Sequence, residues 1–145
     1  MTLKIGIIGC GGIANGKHMP SLKAVEEGEL VAFCDIIEER ALKAKEEFGT
    51  DDAKVYTDYK EMLKDPTIDV IHVCTPNSSH SVISIAAMEA DKHVMCEKPM
   101  AKTTAEAEAM LEAAKKTGKK LTIGYQNRFR KDSNYLHTVC ENNEL

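Results

Sequence analysis

The sequence has no surplus of basic residues, no apolar run long enough to span a bilayer, and no cysteines paired as CxxC. Each absence removes a class of function. With a net charge of −4, the 145-residue chain offers no electrostatic footprint for nucleic acid. Met1-Thr2-Leu3-Lys4 runs straight into a short apolar segment, not into a charged stretch followed by a long apolar core. Neither a signal peptide nor a membrane anchor is therefore expected. The five cysteines are an odd number, and they read as reduced thiols of a cytoplasmic protein and not as a disulfide framework. What remains is 43% hydrophobic and 29% charged, the profile of one soluble domain with enough chain to bury a core.

Short apolar runs recur at Leu3–Ile8, Leu30–Cys34, Val70–Cys74, His93–Cys96 and Leu121–Gly124, with a weaker one at Lys54–Tyr56. Rich in Val and Ile and apolar on successive residues, they predict strands covered on both faces. Between them, Glu38–Phe48, Ser78–Ala90 and Thr103–Thr117 carry apolar residues at helical spacing, and Asp132–Asn142 reads as a last helix. Thr103 and Glu106 form a capping box, Gly49 and Gly118 stand where C-caps are expected, and Ser78 and Ser79 can cap the helix they precede. Alternation of strand and helix requires crossover connections, so the fold class is α/β: a doubly wound parallel sheet, order 3-2-1-4-5-6, with residues 1–145 as one unit.

Gly9-Cys10-Gly11-Gly12-Ile13-Ala14 fits G-x-G-x-x-G/A, placed after the first strand and before the first helix. Gly9 permits a tight turn, Gly11 leaves the backbone bare beside a pyrophosphate, and Ala14 lets the helix pack closely. The amides at the helix start, Gly12 and Ile13 among them, face the phosphates. Asp35 ends the second strand about 20 residues further on, where an acid that grips the adenosine ribose belongs. It would repel a 2′-phosphate, and Ile36 and Ile37 supply no cation; Arg40 could stack on adenine or reach such a phosphate. With Ile36 counted among the cofactor-binding residues, this side favours NAD, with NADP as the lesser expectation. Thr75-Pro76-Asn77 and Glu97-Lys98-Pro99 follow the fourth and fifth strands, whose carboxyl ends border the same crevice.

The segments "GIIGCGGIA", "CTPNSSH", "CEKPMA" and "GYQNRF" together resemble the nucleotide-binding half of the Gfo/Idh/MocA oxidoreductases, the family of glucose–fructose oxidoreductase and inositol dehydrogenase. The resemblance covers essentially the whole chain. It implies a Rossmann domain in which Gly9–Ala14 hold the pyrophosphate and Asp35 the ribose. Thr75, Pro76 and Asn77 would line the cofactor path, and Glu97 would approach the nicotinamide ribose. Lys98 is the catalytic candidate, placed to assist proton transfer from a sugar or polyol hydroxyl. Family members run to well over twice this length, and their second domain supplies an Asp and a His for the proton chemistry. That domain is expected to be absent here, as from a truncated product, so the chain is expected to bind cofactor without turnover. The full-length protein is expected to be a homo-oligomer. A non-catalytic nucleotide-binding sensor is the alternative function.

Among the histidines, His80 is expected to cap its helix or face the cofactor, His18 to lie at the surface or in packing of the first helix, His72 to be satisfied in the core, and His93 to be structural. No metal site is expected from the His and Cys spacing. Cys10, Cys34, Cys74 and Cys96 each fall at a strand's carboxyl end and read as small buried side chains beneath the cofactor, with a redox or metal cluster as the alternative.

Overall fold

Six short strands form one parallel sheet in the order β3-β2-β1-β4-β5-β6. They are β1 (Leu3–Ile8), β2 (Gly28–Cys34), β3 (Lys54–Tyr56), β4 (Val70–Val73), β5 (His93–Cys96) and β6 (Leu121–Ile123). This computed structural model describes residues 2–143. The strand order is the one expected, and it brings the carboxyl ends of β1 and β4 side by side at the point where the winding reverses. Hydrogen bonding runs one residue past several strands: Gly9 donates to the Cys34 carbonyl, Cys74 to that of Ile8 and Glu97 to that of Val73, at 2.8, 2.8 and 2.9 Å. The loops that follow thus start from fixed positions.

Continuous apolar strands need cover on both faces, and two core clusters supply it. One joins Ile8, Ile71, Val73 and Cys96 to Met62, Ile83, Ala87 and Met110 of α3 (Tyr59–Leu63), α4 (His80–Glu89) and α5 (Thr104–Thr117). The other joins Ile7, Leu30 and Phe33 to Ala14, Met19, Ala41 and Ala44, the last two on α2 (Glu38–Phe48). Ala14 is fully buried, as close packing of the first helix on β1 demands.

The first helix departs from regularity. Ala14–His18 is a π-turn, closed by the Met19 amide on the Ala14 carbonyl, and α1 (Met19–Lys23) continues from it. Pro20 explains the widening: it has no amide hydrogen for the Gly16 carbonyl, and its ring would crowd that oxygen in an ordinary α-turn. The expected helix over Ser78–Ala90 begins with a 3₁₀ turn, Asn77–Ser79. Ser79 does not cap α4; its hydroxyl donates back to the Pro76 carbonyl, 2.8 Å, and contacts Thr75 Oγ1 at 2.9 Å. Thr103 and Glu106 do form the capping box, and Gly118 closes α5 with φ of 69°. Gly49 ends α2 in an extended conformation; what it supplies is room, since a Cβ would stand 2.8 Å from the Lys45 carbonyl and the Phe33 ring. α6 (Lys131–Glu141) has no buried residue, and Phe129, Tyr135 and Leu136 beside and along it are exposed.

Candidate cofactor site

A cleft of about 770 Å³ opens at the carboxyl ends of β1, β2 and β4, with Gly9, Gly11, Gly12, Ile13, Asp35, Ile36 and Arg40 on one side and Thr75 and Pro76 on the other. Gly9 makes the turn with φ of 94°, and a Cβ there would lie 2.8 Å from the Cys74 carbonyl group. A Cβ at Gly11 or Gly12 would meet nothing within 4 Å. The bare backbone faces open space in the cleft, which fits the bulk of a diphosphate.

Asp35 is 8% exposed. Its Oδ2 accepts from the Cys10 amide inside the glycine turn and its Oδ1 from the Ile37 amide, both at 2.9 Å. The carboxylate therefore moors the turn to the end of β2. Each oxygen accepts more than one hydrogen bond, so capacity remains for ribose hydroxyls. Ile36 is 90% exposed and Arg40 is exposed, both on the cleft wall. Asp58 lines the same wall, so two carboxylates face one guanidinium among the described lining residues. That balance opposes a 2′-phosphate.

A second cleft, about 590 Å³, lies beyond Ile13, which borders both. Its walls include His18, His72, Met95, Glu97, Gly124 and Asn127. Glu97 is buried; its Oε1 meets His18 Nε2 at 2.8 Å and its Oε2 accepts the Lys98 amide at 3.0 Å. Lys98 and Asn77 are exposed and line neither cleft; the Lys98–Pro99 peptide is cis.

Several residues stand elsewhere than expected. His80 is 1% exposed, with Nδ1 2.7 Å from the Pro99 carbonyl and Nε2 2.9 Å from that of Thr75. Its ring ties the two strand-end loops together instead of facing the cleft, and a neutral ring can donate to only one of these oxygens. His72 is buried but not satisfied: Nδ1 has no hydrogen-bond partner. Burial, and then the neighbouring His18, pull its pKa down to about 4. His93 accepts the Lys120 amide, a structural bond. The sequence offered no sign that His18 would reach Glu97, 79 positions away.

The four strand-end cysteines are all buried. Burial, then nearby Asp35, pushes Cys10 and Cys34 up to about 12; burial, then Glu97, does the same to Cys74, and burial raises Cys96 to about 11. Thiolate is the reactive form, so these thiols are inert near neutrality. Iodoacetamide at pH 7.5 is expected to label exposed Cys140 first and to spare the four until the fold is opened, as peptide mass spectrometry would show. Early labelling of any strand-end thiol would contradict this. Among the described residues no group of three or more His, Cys, Asp or Glu is placed to hold a metal ion, and no helix is long and apolar enough to cross a membrane.

The family model for GFO_IDH_MocA, described as "Oxidoreductase family, NAD-binding Rossmann fold", matches residues 3–125. The chain belongs to this family. Inositol 2-dehydrogenase of Salmonella typhimurium is 35% identical over 146 residues, which cover 100% of this chain and 43% of that protein. D-glucoside 3-dehydrogenase of Escherichia coli is 37% identical over 143 residues, 99% of this chain and 40% of the other. A probable dehydrogenase from Thermotoga maritima superposes with a TM-score of 0.87 at 36% identity, over 97% of this chain and 41% of its own. The WlbA dehydrogenase from Bordetella pertussis, solved with NADH and UDP-GlcNAcA, gives 0.90 at 26% identity, over 98% and 42%. The chain thus spans about two-fifths of the length of the Gfo/Idh/MocA proteins it matches. It is an NAD-binding domain of that family.

Proposed function

We propose that this domain holds the dinucleotide for an oxidoreductase acting on a secondary alcohol of a sugar, polyol or related hydroxy compound. The observation that carries this reading is that bare Gly11 and Gly12 and the moored Asp35 line one cleft together. The turn amides receive the diphosphate, Asp35 takes the adenosine ribose, and Ile36 and Arg40 flank the adenine. Thr75 and Pro76 wall the path past Ile13, with Asn77 at its outer edge. Glu97 meets the nicotinamide ribose.

When bound, nicotinamide supplies a hydride acceptor for the alcohol carbon. Lys98, the residue after Glu97, takes or steadies the hydroxyl proton as the carbon is oxidised. Its exposed position means that this chain alone does not exclude water from that step. In the family-length enzyme a further domain completes the substrate pocket and the oligomer contacts.

Calorimetric titration of the 145-residue chain with NAD⁺ and NADP⁺ is expected to give saturable binding, tighter for NAD⁺. The same protein with NAD⁺ and myo-inositol is expected to form no NADH above background. Absence of saturable heat with either nucleotide would sink the binding reading. Turnover at ordinary dehydrogenase rates, about 10 s⁻¹, would sink the requirement for a second domain.

A further inference from the structure

The Glu97 carboxylate is gripped from two sides, and one grip comes from a residue outside the glycine motif. His18 Nε2 stands 2.8 Å from Oε1, while the Lys98 amide donates to Oε2 at 3.0 Å. The two side chains of the pair are about nine-tenths buried, 10% and 9% exposed. Gly124 lies beside the same oxygen: a Cβ there would stand 3.4 Å from Oε1, in van der Waals contact. We propose that His18 is a positioning residue for the nicotinamide half of the cofactor: by donating Nε2–H to Glu97 Oε1 it sets the carboxylate that in turn fixes the Glu97-Lys98 turn. The proposal rests on the functional reading above.

Three features make the arrangement specific. His18 is the last residue of the π-turn, and the extra residue in that turn rotates every later side chain relative to a regular helix. The irregularity imposed by Pro20 thus decides which way position 18 faces. His72 backs His18, its ring edge-to-face with that of His18 at 5.8 Å and 83°. Held neutral by burial, His72 adds a wall but no charge that would compete for the carboxylate. Donation from Nε2 also fixes the tautomer, leaving Nδ1 without the proton whenever the ring is neutral.

The test compares two probes on the 145-residue chain: NADH, which carries nicotinamide and its ribose, and ADP, which lacks both. His18→Ala is expected to weaken NADH about tenfold and to leave ADP within about twofold. His18→Gln, whose amide nitrogen can donate to the same oxygen, is expected to restore most of the NADH affinity. Long-range ¹H–¹⁵N correlation spectra of the unaltered chain are expected to show His18 as the Nε2–H tautomer, a readout that survives if the Ala variant folds poorly. Equal loss of both probes, unchanged NADH binding in His18→Ala, failure of Gln to restore, or an Nδ1–H tautomer would each overturn the proposal. If the unaltered chain bound neither probe, the functional reading would fall first and this inference with it.

Discussion

Replacing Gly9 by alanine is expected to cost the fold about 3 kcal/mol or more and to abolish measurable dinucleotide binding. Two independent penalties combine. At φ of 94° an L-residue is strained wherever it sits. The new Cβ would also stand 2.8 Å from the carbonyl carbon and oxygen of Cys74 and 2.9 Å from the Thr75 nitrogen. That neighbour cannot retreat, because the Cys74 amide is bonded to the Ile8 carbonyl at 2.8 Å and Cys74 continues β4 out of the sheet. Gly11→Ala separates folding from binding. Its Cβ meets nothing within 4 Å in the ligand-free chain, so thermal unfolding should move little, while NADH affinity falls about a hundredfold because the methyl occupies the diphosphate's place. Melting curves and NADH titrations of the two variants check this directly. A stable Gly9→Ala protein that binds NADH normally would contradict the account of the turn.

The strands were legible because each is a local pattern: a few successive Val, Ile and Cys residues bounded by turn-formers, covered on both faces as a parallel sheet requires. The glycine turn and Asp35 were legible for a related reason. The proposed roles, a diphosphate beside backbone amides and a ribose beside a carboxylate, call for set residue types at set separations along one strand–helix–strand unit. Short or long-range features were not. α3 has five residues, of which only Met62 and Leu63 are buried, too few for a helical period to register. The pairing of His18 with Glu97 joins the end of the π-turn to the residue after β5, a juxtaposition across 79 positions that no local pattern encodes. His80 looked like a ligand-facing group since it follows a strand-end loop, yet its ring nitrogens are spent on the Thr75 and Pro99 carbonyls. The expectation that His72 would be satisfied failed because burial along β4 secures its ring but supplies no partner for Nδ1.

Asp35→Ala is the substitution expected to alter nucleotide choice as well as strength. In the folded chain the carboxylate accepts the Cys10 and Ile37 amides. Its removal leaves two donors unpaired in a position only 8% exposed, at a cost of about 1–3 kcal/mol if water cannot replace both. The glycine turn loses its tie to β2 at the same time, and the ribose loses its charged acceptor. NAD⁺ affinity should therefore fall about a hundredfold, equivalent to about 2.7 kcal/mol. NADP⁺ behaves differently, because the same change removes the anion that repels a 2′-phosphate and leaves Arg40 facing Asp58 alone on the cleft wall. The ratio of NADP⁺ to NAD⁺ dissociation constants should shrink even though both rise. Calorimetry with the two nucleotides, run beside a thermal melt, reads the three quantities separately. A lower melting point with an unchanged ratio would reduce Asp35 to a mooring for the turn, and unchanged NAD⁺ affinity would remove it from the site.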